Sequence, residues 1–442
     1  MAVEKLLVNL TKVQIRTHLL TDYNLNFARK NEHDVCKIDT NMKGLHCESL
    51  VINSFMLKSF QGCCLTKSIF LVYLCRIINS FINKHVLNYN LMKHQVFGQR
   101  LKNARLLREM TQDEVVAALG ETLSKNALSR YERGEMMPRY PILMALARLF
   151  DLQLEYFFRP FTVEVSRFEL RTKRELTQTQ HERLKLKVSA VMERYLETEQ
   201  LLGLEQRFDN PLQDFPAVTT ADDIEQAAQE LRQAWQLGAH GLLNLYGLLE
   251  HHGIRVIEIT DTEDFDGMAL VINQHIPVVV VNTAMTVERK RFTVIHELGH
   301  LLLRFDDTYD PGMIESLCNR FAGAVLLPAP LLKTLMGAPR EQIGLHELLL
   351  IKNNYGISLQ ALVYRAVKLG FISQASVDRF RDFIKANMKE ENLGNYYGQE
   401  VPDRMTQLVA RAYHSHRVTR NKAAELLGVE ERDLPETIDK VW

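Results

Sequence analysis

The stretch Arg291-Phe-Thr-Val-Ile-His-Glu-Leu-Gly-His-Leu-Leu-Leu303 decides how the centre of this 442-residue chain folds. Its apolar residues and those before it predict a buried helix from Val287 to Leu303. On such a helix, His296 and His300 lie on one face about one turn apart, where both can bind one zinc ion. Glu297 is turned about 100 degrees from His296, close enough to reach a water bound to that ion.

The motif His-Glu-x-x-His is good evidence for a metal site but is not sufficient alone. It arises by chance in about one chain in a hundred of this length, so a buried helix with two incidental histidines is the alternative. The helical context and the apolar strand predicted at Pro277–Val281 favour the metal site. Gly299, between the histidines, allows another backbone or a substrate to approach closely.

A third protein ligand has to come from outside the motif, because a catalytic zinc ion usually has three. A second helix is predicted from Met313 to Leu327, and Glu315 lies on it, 15 residues after His300. Asn319 shares the face of Glu315 and could orient a ligand. Glu315 could also be a plain acidic residue near a helix N-terminus. Three aspartates rival it as the ligand: Asp306, Asp307 and Asp310.

Around this site, residues 207–375 show the patterns of a mixed α/β domain. Helices are predicted at Ile224–Trp235 and Leu242–His251, and a strand at Ile254–Ile259. The stretch from Met268 to Val281 indicates a hairpin or paired strands.

Two blocks of this domain resemble the ImmA/IrrE family of metallopeptidases. They are Arg291–Leu303 and Glu315-Ser-Leu-Cys-Asn-Arg-Phe-Ala-Gly-Ala-Val-Leu-Leu-Pro328, and the resemblance runs over residues 222–373. It implies a zincin-like α/β domain with peptidase activity, in which Glu297 is the general base. The zinc ligands that it implies are His296, His300 and Glu315.

The resemblance also implies a mechanism of peptide hydrolysis. Zinc would polarise the scissile carbonyl and lower the pKa of its bound water. Glu297 would take a proton during attack and pass it to the leaving amine. Tyr309 and Arg320 are conceivable donors to the oxyanion, and nothing in the sequence selects either.

Upstream, residues 97–158 show short helices with tight connections. Thr111 is a good N-cap for a helix over Gln112–Leu119, Gly120 ends that helix, and Ser124 caps the next. Three segments resemble the Cro/C1 repressor class of helix-turn-helix domains: Arg100-Leu-Lys102, Thr111-Gln-Asp-Glu-Val115 and Leu128-Ser-Arg-Tyr-Glu-Arg-Gly134.

This second resemblance implies an all-α domain that binds a double-stranded DNA operator. Gln112 would contact a phosphate, and five residues would face the major groove: Ser124, Lys125, Asn126, Ser129 and Arg130. Asn126 could read adenine, and Lys125 could read guanine or only a phosphate. The turn from Gly120 to Ser124 is about two residues longer than the common pattern, so the assignment of side chains to bases stays open.

The alternative for this module is a small helical bundle used for protein contacts. The DNA interpretation predicts a homodimer, because such modules usually read paired half-sites.

Composition limits the class of protein. Lys+Arg and Asp+Glu both number 54, so any affinity for DNA must come from a local basic face. Five of the six cysteines lie in the first 75 residues, which does not suit a disulfide framework and indicates a reducing cytoplasm. The most apolar stretch, Ile69–Ile82, is interrupted by polar residues and is too short for a membrane span.

Together these patterns predict a multidomain, mainly α chain with an α+β part. Residues 1–92 are an N-terminal extension, either an accessory segment or a translated upstream stretch with Met92 as the true start. The helix-turn-helix domain follows at 93–160 and a helical linker at 161–206, interpreted as a solvated spacer. After the metallopeptidase domain, a small helical module at 376–442 is expected to pack on that domain.

The fused arrangement resembles bacterial or phage regulators in which proteolysis controls a repressor or an antitoxin-like partner. It predicts a cytoplasmic DNA-binding transcription regulator whose zinc metallopeptidase domain cleaves a repressor, an antitoxin or itself. Two rivals are a non-catalytic regulator that senses a ligand or partner, and an antitoxin that neutralises a toxin. The intact motif favours catalysis, because a pure sensor has no need of Glu297 beside the metal.

Overall fold

The computed structural model describes residues 92–172, 177–204, 207–260, 265–341, 343–385, 387, 390–434 and 438. The predicted N-terminal extension lies outside the described residues except for Met92, as does the apolar stretch Ile69–Ile82. Within the described ranges, no helix combines the length and the apolar character that crossing a membrane requires. The predicted class is confirmed, since a helical N-terminal part precedes a part that combines helices with a small mixed sheet.

The helix-turn-helix region is a bundle with its own core. Its elements are α1 (92–107), α2 (Gln112–Leu119), α3 (Lys125–Glu132), α4 (Tyr140–Phe150) and a 3₁₀ turn at Leu154–Phe158. Thr111 and Glu114 form a capping box at the start of α2, and the Ser124 hydroxyl accepts a hydrogen bond from Ala127 N. A 3₁₀ turn at Gly120–Thr122 occupies the long turn between α2 and α3. This 3₁₀ turn accounts for the additional length expected between Gly120 and Ser124.

Within the described ranges, four strands form a mixed sheet in the order β1-β3-β4-β2. They are β1 (Val165–Thr172), β2 (Arg255–Ile259), β3 (Phe265–Ile272) and β4 (Ile276–Asn282). Strand β4 is buried along its whole length and pairs parallel with β2 and antiparallel with β3. The strands predicted between residues 254 and 281 are therefore confirmed.

Strand β1 was not predicted. It lies near the start of residues 161–206, which the sequence pattern predicts to be a helical linker. Charged residues are frequent in this segment, so its strand-like alternation was overlooked. In that alternation, Phe168 and Leu170 are each flanked by charged residues. The strand pairs antiparallel with β3, about 100 residues further along the chain, so no local pattern reveals its partner.

The remainder of the linker is helix α5 (Gln178–Leu202), which begins with a capping box at Thr177. Its interpretation as a solvated spacer was wrong. Four side chains at helical spacing are buried against β2, β3 and β4: Leu184, Val188, Met192 and Tyr195. Each buried apolar side chain of this size contributes about 1.5–3 kcal/mol, so α5 is part of the core of the sheet.

The opposite face of the sheet packs on three helices: α6 (Ala221–Ala234), α8 (Val287–Leu302) and α9 (Pro311–Leu326). Helix α7 (Leu245–His251) leads into β2. Helix α8 runs along β3 and β4 and also packs on α9. The motif helix is thus enclosed between a sheet and a helix.

Beyond α9, the elements of the described residues are mainly α-helices. They are α10 (Ala329–Met336), α11 (Leu345–Tyr355), α12 (Leu359–Lys368), α13 (Gln374–Lys385), α14 (Arg404–His414) and α15 (Arg420–Leu427). The last two belong to the predicted C-terminal module and pack on α5, while Leu408 also reaches the sheet core.

Helix α5 also contacts the helix-turn-helix module. The buried guanidinium of Arg100 on α1 lies 2.7 Å from Glu193 Oε2, and Arg183 pairs with Glu109. Arg159, near the end of the module, lies 2.5 Å from Glu425 Oε1 on α15. Helix α5 therefore contacts the helix-turn-helix module, the sheet and the C-terminal module.

Candidate metal centre and DNA-binding surface

The metal centre lies between α8 and α9, and a glycine brings these two helices together. A Cβ atom on Gly299 would lie 3.3 Å from Cys318 Sγ and 3.3 Å from Phe321 Cδ1. A larger residue would push α9 away from the histidines. The close approach expected at Gly299 is thus made by side chains of the neighbouring helix.

Three predicted ligands converge at this contact. His296 Nε2 lies 3.2 Å from Glu315 Oε2, and His300 Nε2 lies 3.1 Å from Glu315 Oε1. The two Nε2 atoms are 3.2 Å apart. Across the described part of the chain, this is the one group of three or more ligand side chains whose donor atoms lie within 4.8 Å of one another.

Asn319 supports one of the histidines from behind. Its Oδ1 atom lies 3.0 Å from His296 Nδ1, which leaves Nε2 directed at Glu315. A hydrogen bond to the second ring nitrogen fixes the orientation of a metal-binding histidine. The orienting role predicted for Asn319 therefore has a contact that can perform it.

The charge state of Glu315 suits a ligand. Burial acts to raise the pKa of this carboxyl, but hydrogen bonds from His296 and His300 outweigh it and hold the pKa well below its usual range. The side chain is half-buried, with 42% of its surface exposed. The carboxylate is therefore ionised at neutral pH and ready to bind a cation.

Two of the rival aspartates have other local roles. Asp306 accepts hydrogen bonds from the backbone and side chain of Thr308. Asp310 caps α9 by accepting from Met313 N, 3.0 Å away. Asp307 is not in the converging group found among the described residues.

The two conceivable oxyanion donors are also engaged elsewhere. The Tyr309 hydroxyl donates to the carbonyl of Thr219, and Arg320 Nε donates to Glu225 Oε1 over 3.3 Å. The geometry favours neither residue for that role, which stays unassigned.

Glu297 is buried on α8, next to β3. A Cβ atom on Gly267 would lie 2.5 Å from Thr293 Cγ2 and 3.5 Å from Glu297 Cγ. Gly267 thus lets β3 lie close to the motif helix. Sequence reasoning missed this residue, although a glycine within an apolar strand signals close approach of a neighbour.

The donor set fits a catalytic zinc ion. Zinc sites of this type use two histidines and one carboxylate and leave a position for water. The residues present supply those three donors on two rigid helices, with Asn319 fixing one imidazole. No further protein ligand is needed to complete the set.

Five of the six predicted DNA-contacting residues lie on α3 or at its N-cap. Ser124, Lys125 and Asn126 are exposed at the start of α3, and Arg130 is exposed in its last turn. Ser129 is half-buried and accepts a hydrogen bond from Arg133 Nη1 over 2.6 Å. Gln112 on α2 lies apart from this group and donates to Glu132 Oε2 over 2.8 Å. That contact holds α2 against α3 and has to be shared or exchanged if Gln112 is to reach a phosphate.

The basic residues on this surface are paired with acids of the same module. Lys125 Nζ lies 2.8 Å from Asp113 Oδ2, and Arg130 Nε lies 3.3 Å from Glu135 Oε2. Both pairs are well exposed, so each contributes little free energy and can be exchanged for a phosphate.

Comparison with known proteins agrees with this division. Residues 101–157 match the family model described as helix-turn-helix, and residues 249–367 match the family model described as the IrrE N-terminal-like domain. By these matches, the chain joins a helix-turn-helix region to a region that is similar to the IrrE N-terminal-like domain.

Two curated relatives share the name radiation response metalloprotease IrrE. The protein of Deinococcus radiodurans is 37% identical over a match that covers 13% of this chain and 22% of the relative. The protein of Deinococcus deserti is 38% identical over 13% of this chain and 25% of the relative. The matches span about a quarter of the length of these relatives. The homodimer and the cytoplasmic location stay predictions.

Proposed function

We propose that this chain is a transcription regulator whose zinc-dependent peptidase domain cleaves a specific regulatory protein, such as a repressor, an antitoxin or the chain itself. The observation that carries the proposal is the convergence of His296, His300 and Glu315 on two packed helices, with Glu297 beside them. We assign residues 93–160 to DNA binding and residues 207–375 to proteolysis.

The residues divide the work of hydrolysis among them. When bound, zinc supplies a Lewis acid and an activated water. His296, His300 and Glu315 hold the ion, and Asn319 fixes the ring of His296. Glu297 takes the proton from the attacking water and delivers it to the leaving amine. Its burial excludes bulk water, which strengthens the electrostatic interactions at the site.

The DNA-binding module limits the kind of proteolysis. A helix-turn-helix domain on the same chain places the peptidase domain at an operator, where proteins that control transcription are bound. Cleavage of one such protein explains why both domains are joined, whereas general digestion does not.

The proposal is tested by comparing cells that express the wild-type chain with cells that express Glu297→Gln. Mass spectrometry of protein termini should find a small set of new termini with the wild type only. Purified Glu297→Gln should retain the zinc content of the wild type, because its three ligands are intact. If no protein, including this chain, changes its termini, the non-catalytic regulator or antitoxin is the better account.

A further inference from the structure

The sheet of the metallopeptidase part has an edge that is covered by another part of the chain. Strands β2, β4 and β3 come from residues 255–282, and β3 is one of the two outer strands of these three, with β2 on the opposite side of β4. Strand β1, from the stretch that follows the helix-turn-helix module, pairs along that outer edge from Val165 opposite Ile272 to Thr172 opposite Phe265.

This edge lies beside the proposed general base. Gly267 of β3 is the residue whose missing side chain lets the strand contact Thr293 and Glu297. On the other side of Gly267, the backbone partner is Arg171 of β1. Because neighbouring strands lie about 4.8 Å apart, β1 passes one strand beyond the strand that contacts the base.

An extended peptide can bind to such an edge by adding as an antiparallel strand. Backbone hydrogen bonds then supply affinity, and the peptide runs past Glu297 in a fixed register. Strand β1 already uses this edge in the antiparallel direction. It therefore takes the position in which such a peptide would bind.

Hydrogen bonds of Asn273, Gln274 and Ser166 attach β1 at the end away from Gly267. The Asn273 side chain accepts from Glu164 N over 2.8 Å and donates to the carbonyl of Thr162 over 3.0 Å. Gln274 N donates to Ser166 Oγ over 3.0 Å. The register of β1 against β3 shifts twice, between Val165 and Arg167 and between Arg171 and Thr172, and such irregularity weakens strand pairing.

We propose that β1 occupies, within the same chain, the place of an extended peptide substrate, and that cleavage requires β1 to leave the β3 edge. This inference rests on the proposed function. It names the substrate class as a protein segment that can become extended and pair antiparallel with β3. In this proposal, the segment that follows the helix-turn-helix module and contains β1 keeps substrate from binding along the β3 edge.

The test measures binding of a fluorescent peptide with the sequence of residues 163–172 to the full-length chain. The protein carries Glu297→Gln, so binding is read without turnover. The release variant adds Glu169→Pro and Leu170→Pro. Because N–H groups of successive strand residues point to opposite sides, one of these prolines removes a hydrogen bond to β3.

We expect the release variant to bind the peptide at least about tenfold more tightly than the protein with intact β1. If only about 1% of the intact protein has a free edge, the difference approaches about 100-fold. Hydrogen exchange of Phe265–Ile272 amides should rise in the release variant and fall again when the peptide is added. A peptide that contains the same two prolines is the control and should not bind.

A second variant guards against misfolding of the first. Asn273→Gly removes the two side-chain contacts to Thr162 and Glu164, and glycine tolerates the positive φ of 50° at this position. It should shift peptide binding in the same direction by a smaller factor, whereas Asn273→Asp keeps the acceptor for Glu164 N and should shift it less.

Circular dichroism identifies which variants are folded. If no folded variant binds the peptide more tightly than the protein with intact β1, β1 is an ordinary strand of the fold and the inference is wrong. All proteins in this test carry Glu297→Gln, so the result does not depend on catalysis. The proposed function is tested separately, by the search for new protein termini.

Discussion

The two functional regions of this chain differ in how their side chains are held. At the metal centre, His296 and His300 are buried between packed helices, and a third helical residue supports one ring. On α3, Lys125 and Arg130 are exposed and paired with acids that can be exchanged. A buried preorganised site loses its function when one group changes, whereas an exposed binding surface loses affinity by degrees. The predictions below test this contrast.

Glu297→Gln should have the largest effect on function. Loss of a general base typically slows cleavage by about 100- to 10,000-fold. We expect the zinc content, measured by plasma mass spectrometry, to remain that of the wild type. His296→Ala is the matched control, because it should lose both cleavage and zinc. A Glu297→Gln protein that cleaves at the wild-type rate would remove Glu297 from the mechanism.

Asn319→Ala should affect the metal centre indirectly, through the orientation of the ligand His296. Removing the group that orients His296 should weaken zinc binding by about 10- to 100-fold. Competition with a chromogenic chelator measures this affinity. Asn319→Asp keeps an oxygen that can accept from His296 Nδ1 and should retain most of it. Equal zinc affinity in all three proteins would show that Asn319 only packs against the ring.

The metal centre was largely predictable from sequence because most of its determinants are local. Spacing of four residues on one predicted helix is sufficient to bring His296 and His300 together. Glu315 lies on the next helix, so periodicity left it equal to three aspartates and only the family resemblance favoured it. Its position against both imidazoles depends on packing at Gly299, which no local pattern describes.

Other features depend on contacts that are distant in sequence. The partner of β1 lies about 100 residues away, and the charged residues of β1 concealed its alternation. On α3, the sequence predicts exposed polar residues, and Ser124, Lys125, Asn126 and Arg130 are exposed. It does not predict that Asp113 of another helix pairs with Lys125, because this depends on how α2 and α3 cross.

Asn126→Ala should weaken binding to an operator selected from random DNA by about 1–3 kcal/mol, the range for loss of a base-reading side chain. Fluorescence anisotropy on the operator and on unrelated DNA separates the two kinds of contact. Binding to unrelated DNA should change little, because it depends on phosphates. An equal loss of affinity for both DNAs would indicate that Asn126 contacts the DNA backbone and not a base.

Asp113→Asn should have the smallest effect on function, and it should strengthen DNA binding instead of weakening it. Freeing Lys125 from an exposed pair worth about 0.2–1 kcal/mol should tighten DNA binding by up to about fivefold. The gain should shrink as salt rises, since released counterions supply this part of the affinity. Asp151→Asn is the matched control. It removes the same charge from the same module at an exposed position that pairs with Arg108, away from the α3 surface. If Asp151→Asn tightens binding equally, the gain comes from net charge and the Asp113–Lys125 pair has no specific role.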